Sequence, residues 1–170
     1  MTIRAAQPTD VPEILALIRD LAEHQREPHA VENSTERLQT VLFGPSPKAF
    51  AFVVDAEEPG RLAGMAVWFL TYSTWTGEHG IHLEDLYVRP EYRSHGHGRA
   101  MLARLAEECM AQGWSRLEWS VLDWNTGAIR FYESMGAEFM DEWRTCRLDG
   151  SALAAAAAAA PGRPGAALAP

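Results

Sequence analysis

Two apolar runs of strand length lie next to each other in the middle of the chain. Residues 49–56 read AFAFVVDA and residues 62–72 read LAGMAVWFLTY, and the turn-rich stretch EEPGR joins them. Apolar runs on either side of a Pro-Gly turn are typical of a β-hairpin. HLEDLYV, RLEWSVL and AEFMDEWRTCRL have a similar strand-like character. The chain is therefore predicted to build a sheet onto which its helices pack.

Two helices are predicted before the hairpin. The first follows Asp10, which stands three residues before Glu13 as in a capping box. Its apolar residues recur at helical spacing and form one stripe. They are Val11, Ile14, Leu15, Ile18, Leu21 and Ala22. The second helix is predicted near residues 34–43, because it starts with Ser-Thr-Glu-Arg and stops at Gly-Pro.

Two more helices are predicted after the strand HLEDLYV. The first follows Gly98, and Gly113 stands where its C-cap is expected. Its apolar side is formed by Met101, Leu102, Leu105, Cys109 and Met110. Asn125 is a suitable N-cap for the second helix, in NTGAIRFYESMG. The predicted order is β-α-α-β-β-β-α-β-α-β, which implies an α/β domain with a mixed sheet covered on both faces.

Composition excludes several classes of protein. The net charge of −8 argues against a nucleic-acid binder and suits a cationic substrate. The chain shows neither a signal peptide nor a transmembrane run, and Cys109 and Cys146 are not at metal or redox spacing. We therefore expect a cytoplasmic protein that binds no membrane. Residues 1–150 are predicted to form one domain, and residues 151–170, rich in Ala, Pro and Gly, a tail that is a short helix or disordered.

The stretch RPEYRSHGHGRAML places two glycines between a strand and a helix. Glycines let backbone N–H groups approach an anion, and a helix N-terminus attracts negative charge, so the stretch suits a phosphate group. Glycines before a helix more often reflect ordinary turn chemistry. A metal site at His95 and His97 is a weaker alternative, because no further ligand stands at suitable spacing nearby.

Two blocks in this order, HLEDLYVRPEYRSHGHGRAML and RLEWSVLDWNTGAIRFYESMGA, resemble the GNAT superfamily of acetyl-CoA-dependent N-acetyltransferases. More narrowly, they resemble its diamine (spermidine/spermine) and thialysine acetyltransferase branch. The resemblance spans roughly residues 3–148. It implies a GNAT-like α/β fold with a mixed, mostly antiparallel sheet, acetyl-CoA as cosubstrate without a metal, and a homodimer.

The resemblance also implies which residues hold the cosubstrate. The pyrophosphate-binding loop would consist of Arg93, Ser94, His95, Gly96, His97, Gly98 and Arg99. The pantetheine arm would pair with Leu86, Tyr87 and Val88, because its amides can hydrogen-bond to a strand. Asn125 aligns with an asparagine that contacts this arm, beside its own N-cap role. Tyr132 aligns with a tyrosine next to the sulfur, where a phenol can act as general acid.

Two adjacent acids, Glu84 and Asp85, should point to opposite faces of their strand unless a bulge intervenes. The resemblance favours Glu84 as the residue that binds the substrate ammonium and accepts its proton. A base is needed because a primary amine is protonated at pH 7. Further substrate contacts implied by the resemblance are His24, Gln25, Asp85, Glu118, Trp119, Ser120 and Glu142. His24 and Gln25 replace a common Tyr-Glu pair, which weakens the case for a long polycation.

The sequence therefore predicts transfer of acetyl from acetyl-CoA to a primary amine of a small molecule, by direct attack in a ternary complex. The acceptor is expected to be a diamine or polyamine or a lysine-like amino acid; a protein amine or an aminoglycoside remains an alternative. A different class of protein, an acyl-CoA-binding sensor or structural module without turnover, is also open. A metal-binding protein through His95 and His97 is the third possibility.

Overall fold

The computed structural model describes residues 2–161, which divide into two compact units at the Trp124–Asn125 bond. The first unit contains the sheet, and the second contains two helices. Within the described residues, no helix is both long and apolar enough to span a bilayer.

Five strands and three α-helices build the N-terminal unit. The strands are β1 (Ile3–Ala5), β2 (Phe50–Asp55), β3 (Leu62–Ser73), β4 (Glu78–Val88) and β5 (Leu117–Trp119). The helices are α1 (Val11–His24), α2 (Thr35–Phe43) and α3 (His97–Gln112). The strands lie in the order β1-β2-β3-β4-β5, with antiparallel pairing except between β4 and β5, which are parallel. The predicted mixed, mostly antiparallel sheet is confirmed.

Alternate residues of the strands face two different layers of helix. Val53 and Met65 are fully buried in one cluster with Ile14 of α1 and residues of α2. Phe52, one residue from Val53, faces the other way, and the guanidinium carbon of Arg104 in α3 lies 4.9 Å from its ring centre. Helices therefore cover both faces of the sheet, as the sequence predicts.

Arg89 ties the end of β4 to α1. The residue is only 8% exposed. Its Nη1 donates to Glu13 Oε2 at 3.0 Å and to the carbonyl of Leu62 at 2.8 Å, and its Nε donates to Asp20 Oδ2 at 3.0 Å. Since Glu13 and Asp20 both belong to α1, this guanidinium fixes the helix across the C-terminal end of β4.

Replacing Arg89 with Ala is expected to lower the free energy of unfolding by about 3 kcal/mol, because two partly buried carboxylates and a carbonyl lose their donor. Urea unfolding measures the change. The control is Arg61→Ala, which removes an exposed ion pair with Glu91 and should cost at most about 1 kcal/mol. Equal effects of the two variants would contradict a special role for Arg89.

The capping box predicted at the start of α1 is wrong. Asp10 makes no side-chain cap to the helix. Its carboxylate instead accepts two bonds from Arg4, at 2.6 and 2.9 Å, and one from the N–H of Gln7 at 2.7 Å. Glu13 accepts from Arg89 and from the N–H of Leu62. Both acids are thus committed to tertiary contacts that local spacing does not reveal.

Helix α3 begins earlier than predicted. It starts at His97, directly after Gly96, and Gly113 caps its C-terminus with φ +70°. Four of its predicted core residues are buried, namely Met101, Leu102, Leu105 and Cys109. The placement of Met110 on the same side is wrong, because this side chain is 80% exposed.

The C-terminal unit contains α4 (Thr126–Glu133) and α5 (Gly150–Ala158). The predicted N-cap of α4 is confirmed, since Asn125 Oδ1 accepts from the N–H of Ala128 at 3.2 Å. The last predicted strand, at residues 137–148, is wrong: the segment joins no ladder, and Met140 and Trp143 are 67% and 69% exposed. A strand forms only when its backbone pairs with a neighbouring strand, and strand-like composition does not show whether such a neighbour exists.

The alanine-rich stretch forms α5, which ends before Pro161 as its composition predicts. Residues 162–170 of the predicted tail lie outside the described residues. The assignment of residues 1–150 to a single domain stays a prediction.

Candidate active site

One side of β4 is unpaired over its second half. β5 pairs with β4 only at Ile81–Leu83, so within the described residues no strand pairs with residues 84–88 on that side of the sheet. We call residues 84–88 the open edge. Strand edges of this kind present unpaired backbone donors and acceptors.

The backbone groups of the open edge point in known directions. The N–H of Arg89 donates to Ala63 on β3 at 2.9 Å. Since antiparallel pairing alternates from residue to residue, Tyr87 also faces β3, whereas Leu86 and Val88 face away from it. The carbonyl of Val88 indeed accepts from Arg93 Nε, which lies outside the sheet, at 2.9 Å. Leu86 and Val88 therefore offer their backbone to a ligand at the open edge.

A β-bulge separates the two adjacent acids. The ladder pairs Trp68 with Leu83 and Val67 with Asp85, and it skips Glu84. The bulge that the sequence analysis left open is therefore present, at the first residue of the open edge. Asp85 lies on the same face as Tyr87, the face that α1 and α2 cover.

Asp85 is a half-buried acid without a bonding partner among residues 2–161. Burial, together with the charge of Glu84, raises the pKa of Asp85 from 3.8 to about 6. Glu84 is exposed, and its Oε2 lies 3.8 Å from Nε2 of His82. The bulge thus gives the two neighbouring carboxylates different surroundings. The carboxylate of Glu84 is solvated, whereas that of Asp85 is half-buried and has a raised pKa.

The loop after β4 has the backbone shape of an anion site. Ser94 and Gly96 both have positive φ, +65° and +81°. The latter residue precedes α3, whose N-terminus carries no side-chain cap. The first N–H groups of α3 consequently have no acceptor within the helix and can bind a negatively charged group. Pyrophosphate fits this arrangement in charge and in the donors that are present.

Arg93 connects the loop to the open edge. Besides its bond to the carbonyl of Val88, its guanidinium carbon lies 5.5 Å from the ring centre of Tyr87. No acidic side chain among residues 2–161 forms an ion pair with it. A guanidinium held in this way can pair with a phosphate oxygen.

If Arg93 binds the pyrophosphate, as the resemblance implies, Arg93→Ala should raise the Kd for acetyl-CoA by about tenfold or more through loss of a charge-assisted bond. Isothermal titration calorimetry measures the change. The control is Arg37→Ala, which removes an exposed guanidinium on α2 that donates to the carbonyl of Glu32. The assignment of Arg93 to the cosubstrate site fails if both variants bind acetyl-CoA as wild type does.

The two loop histidines are close but differ in surroundings. Their ring centres lie 6.1 Å apart. His95 is exposed, with Nδ1 3.3 Å from the carbonyl of Tyr92. The Nδ1 of His97 is buried and has no hydrogen-bond partner among the described residues, and burial lowers the pKa of this imidazole. Among the residues that the structure describes, no group of three or more His, Cys, Asp or Glu side chains could hold a metal ion.

Tyr132 and Asn125 belong to the C-terminal unit. Tyr132 is 8% exposed, and burial raises the pKa of its phenol, which therefore stays protonated at neutral pH. Its neighbours Ala128, Ile129 and Met135 are half-buried.

The predicted substrate residues are distributed over both units. Glu118 is exposed and pairs with Arg116 at 2.9 Å, so its charge is already compensated. Trp119 is half-buried beside Leu83, and Ser120 is exposed. Glu142 is exposed in the irregular segment 137–148 of the C-terminal unit. Their roles stay predictions.

The end of α1 brings the predicted residue His24 together with Arg26 and Trp124, which were not predicted from the sequence. His24 lies against Trp124, with ring centres 6.1 Å apart, and Arg26 places its guanidinium carbon 5.2 Å from the same indole. Gln25 is exposed beside them. Sequence spacing could not show that residues 24 and 124 meet.

Comparisons with known proteins agree with this arrangement. Residues 14–137 match the acetyltransferase (GNAT) family. A thialysine N-epsilon-acetyltransferase of Mus musculus is 36% identical, over 89% of this chain and 94% of that protein. The L-ornithine N5-acetyltransferase NATA1 of Arabidopsis thaliana is 33% identical, over 90% of this chain and 86% of that protein.

Solved structures give the same result for the fold. An acetyltransferase of Trypanosoma brucei aligns with a TM-score of 0.69 and 25% identity, over 87% of this chain and 98% of that one. An integron cassette protein of V. cholerae aligns with a TM-score of 0.75 and 21% identity, over 92% and 96%. The open edge, the loop and the start of α3 all fall within the matched family region. The chain therefore belongs to the acetyltransferase (GNAT) family and is an N-acetyltransferase.

Proposed function

We propose that this enzyme transfers the acetyl group of acetyl-CoA to a primary amine of a small molecule, by direct attack within a ternary complex. The observation that carries the proposal is the open edge of β4, which continues into an anion-binding loop and begins with two acids. One ligand with amides, a pyrophosphate and a reactive acyl group would contact these features in that order.

Acetyl-CoA would supply the activated acyl group as a thioester. The N–H groups at the start of α3, together with Arg93, would hold its pyrophosphate. Leu86 and Val88 would bond the pantetheine amides in the manner of an added strand. A backbone N–H of this edge would also polarise the thioester carbonyl, because it is already oriented away from β3.

The acids at the bulge would prepare the amine. A primary ammonium must lose a proton before its nitrogen can attack. Asp85 is suited to accept it, because a carboxylate with a pKa of about 6 is a stronger base than an ordinary aspartate and is still ionised at pH 7. Glu84, solvated at the mouth, would attract the ammonium. The resemblance assigns the proton-accepting role to Glu84, so the two acids have to be tested separately.

Tyr132 would protonate the departing thiolate. Support comes from its match to the family's FYESMGA block and from the raised pKa of its phenol, which keeps the proton available.

Direct transfer of the acetyl group, without an acyl-enzyme, is supported by the environment of Cys109. This thiol is buried and donates to the carbonyl of Arg116 at 3.5 Å. Burial raises its pKa, which disfavours the thiolate that an acyl-enzyme would need.

The acceptor class is narrowed by the relatives and by charge. The relatives in mouse and Arabidopsis are named for thialysine and L-ornithine, two amino acids with a side-chain amine. Another, in Homo sapiens, is named as a spermidine/spermine acetyltransferase-like protein, and this chain spans only 20% of its length. Diamines and amino acids of lysine type are both retained as acceptors here. The net charge of −8 favours either over an anionic substrate.

The test is a thiol-release assay with acetyl-CoA and a panel of amines: putrescine, spermidine, thialysine, L-ornithine, L-lysine and a lysine-containing peptide. We expect turnover with at least one small amine and none with the peptide. Acetyl-CoA binding without turnover of any amine would instead support a binding module, and absence of acetyl-CoA binding would overturn the proposal.

A further inference from the structure

We propose that Arg26 binds the carboxylate of the acceptor, so that the physiological substrate is an amino acid with a side-chain amine and not a diamine or polyamine. This inference rests on the proposed function, whose acceptor it specifies. It comes from the position, conformation and partners of Arg26, none of which the sequence indicates.

Arg26 lies two residues beyond the end of helix α1, which is bonded to the end of β4. Helix α1 is fixed to the end of β4 through Asp20 and Arg89, and its last residue, His24, contacts Trp124. Trp124 ends the segment that follows β5 and that pairs with no strand. The C-terminal half of α1 thus contacts Arg89, which follows the open edge, and Trp124, which Arg26 also contacts. Asp85 lies on the face of β4 that α1 covers.

The backbone of Arg26 is strained. Its N–H donates to the carbonyl of Glu23, and the N–H of Glu27 donates to the carbonyl of Ala22. These two bonds form the C-terminal motif that normally has glycine at the position with positive φ. Arg26 occupies that position with φ +66°. A non-glycine residue in this conformation destabilises the fold, and such outliers concentrate at functional sites.

The side chain of Arg26 is held but not neutralised. Its guanidinium carbon lies 5.2 Å from the ring centre of Trp124, whose side chain is 45% exposed. Among residues 2–161, no acidic side chain forms an ion pair with Arg26. A cation–π contact satisfies none of the N–H donors of a guanidinium. Those donors can bind a carboxylate with two parallel bonds.

A ligand with two opposite charges would suit both the acids at the bulge and Arg26. The acids at the bulge would take the ammonium that is to be acetylated, and Arg26 would take an anionic group at the other end. A polyamine carries only cationic groups and gains nothing from a guanidinium. An ornithine- or lysine-like amino acid has both groups, separated by a short apolar chain.

Pairs of substrates that differ only by the carboxylate test this inference. L-ornithine and putrescine form one pair, and L-lysine and cadaverine form another. For the wild type we expect a kcat/KM for the amino acid at least about tenfold above that for the diamine. In Arg26→Gly the kcat/KM for the amino acid should fall about tenfold or more, with little change for the diamine and no change in the Kd for acetyl-CoA.

Arg26→Gly has a second readout, because glycine suits the positive φ. The variant should unfold at the same temperature as wild type or a higher one, so loss of the amino-acid preference cannot come from misfolding. The matched control is Arg37→Gln, which removes an exposed arginine of α2 and should leave both substrates unaffected.

Two outcomes would overturn the inference while leaving the proposed function intact. One is equal use of amino acids and diamines by the wild type. The other is an Arg26→Gly variant that retains the wild-type preference or loses both substrates to the same degree. Absence of turnover with every amine would remove the proposed function, and the inference with it.

Discussion

Tyr132→Phe is expected to lower kcat by about 10² to 10⁴, while the Kd for acetyl-CoA stays within about twofold of wild type. The hydroxyl is the only group removed, and the buried ring keeps its place. A departing thiolate would then have to take its proton from water. Steady-state kinetics with the preferred amine, combined with calorimetric titration of acetyl-CoA, measures both quantities.

The matched control is Tyr72→Phe, which removes the hydroxyl of a tyrosine that is 57% exposed on β3. This variant should have the kinetics of the wild type. If Tyr132→Phe also retains full kcat, the phenol is not the general acid. If it loses acetyl-CoA binding in proportion to activity, its role is in binding and not in proton transfer.

Asp85→Asn is expected to lower kcat/KM by about 100-fold at neutral pH, because the amide cannot accept the proton of the ammonium. In the wild type, kcat/KM should fall below a pH of about 6 as Asp85 becomes protonated. The residual activity of the variant should lack that acidic limb. The comparison uses pH profiles of kcat/KM between about pH 5 and 9.

The same substitution should stabilise the fold. The pKa of Asp85 is raised from 3.8 to about 6, so at neutral pH the folded state holds a carboxylate that burial disfavours. Below the unfolded pKa both states are protonated, and stability is complete. As the pH rises from about 4 to above about 6, where the unfolded state ionises before the folded state, about 3 kcal/mol is lost. Asp85→Asn should therefore raise the free energy of unfolding by about that amount at pH 7.5, and much less at pH 4.

The variant Glu84→Gln distinguishes the role of Glu84 from that of Asp85. If Asp85 accepts the proton, Glu84→Gln should raise KM for the amine and leave the acidic limb of the pH profile in place. If the limb disappears in Glu84→Gln and persists in Asp85→Asn, Glu84 is the base, as the family resemblance predicts. Urea unfolding at two pH values shows independently whether Asp85 carries the raised pKa.

Much of the fold could be predicted because its signals are local. The hairpin of β2 and β3 follows from two apolar runs and one turn. The N-cap of α4 and the C-cap of α3 follow from single residues, Asn125 and Gly113. The capping box at Asp10 was wrong because two arginines, Arg4 and Arg89, bind the acids that would have formed it. Such partners are distant in sequence, and local patterns do not contain them.

The site was predictable only in part, for a similar reason. The loop from Arg93 to Arg99 and the tyrosine of α4 have recognisable spacing. The different environments of Glu84 and Asp85 depend on one skipped pairing with β3, which no feature of the sequence indicates. The strained conformation of Arg26 and its contact with Trp124 depend on where α1 ends in three dimensions. The predicted last strand failed because an apolar run does not specify a partner.

The bulge at Glu84 also sets a rule for how the length of this protein can vary over evolution. Side chains of a strand alternate with a period of two, so the extra residue fixes the phase between the hairpin tip and everything from Asp85 onward. Insertions or deletions of two residues at the tip, between β3 and β4, would preserve that phase. If the bulge were lost without loss of a residue, Glu84 would pair with Val67 and Asp85 with Ala66, which would turn the acid away from α1. The face that Asp85 occupies therefore depends on this extra residue staying outside the ladder, whereas length can vary at the tip.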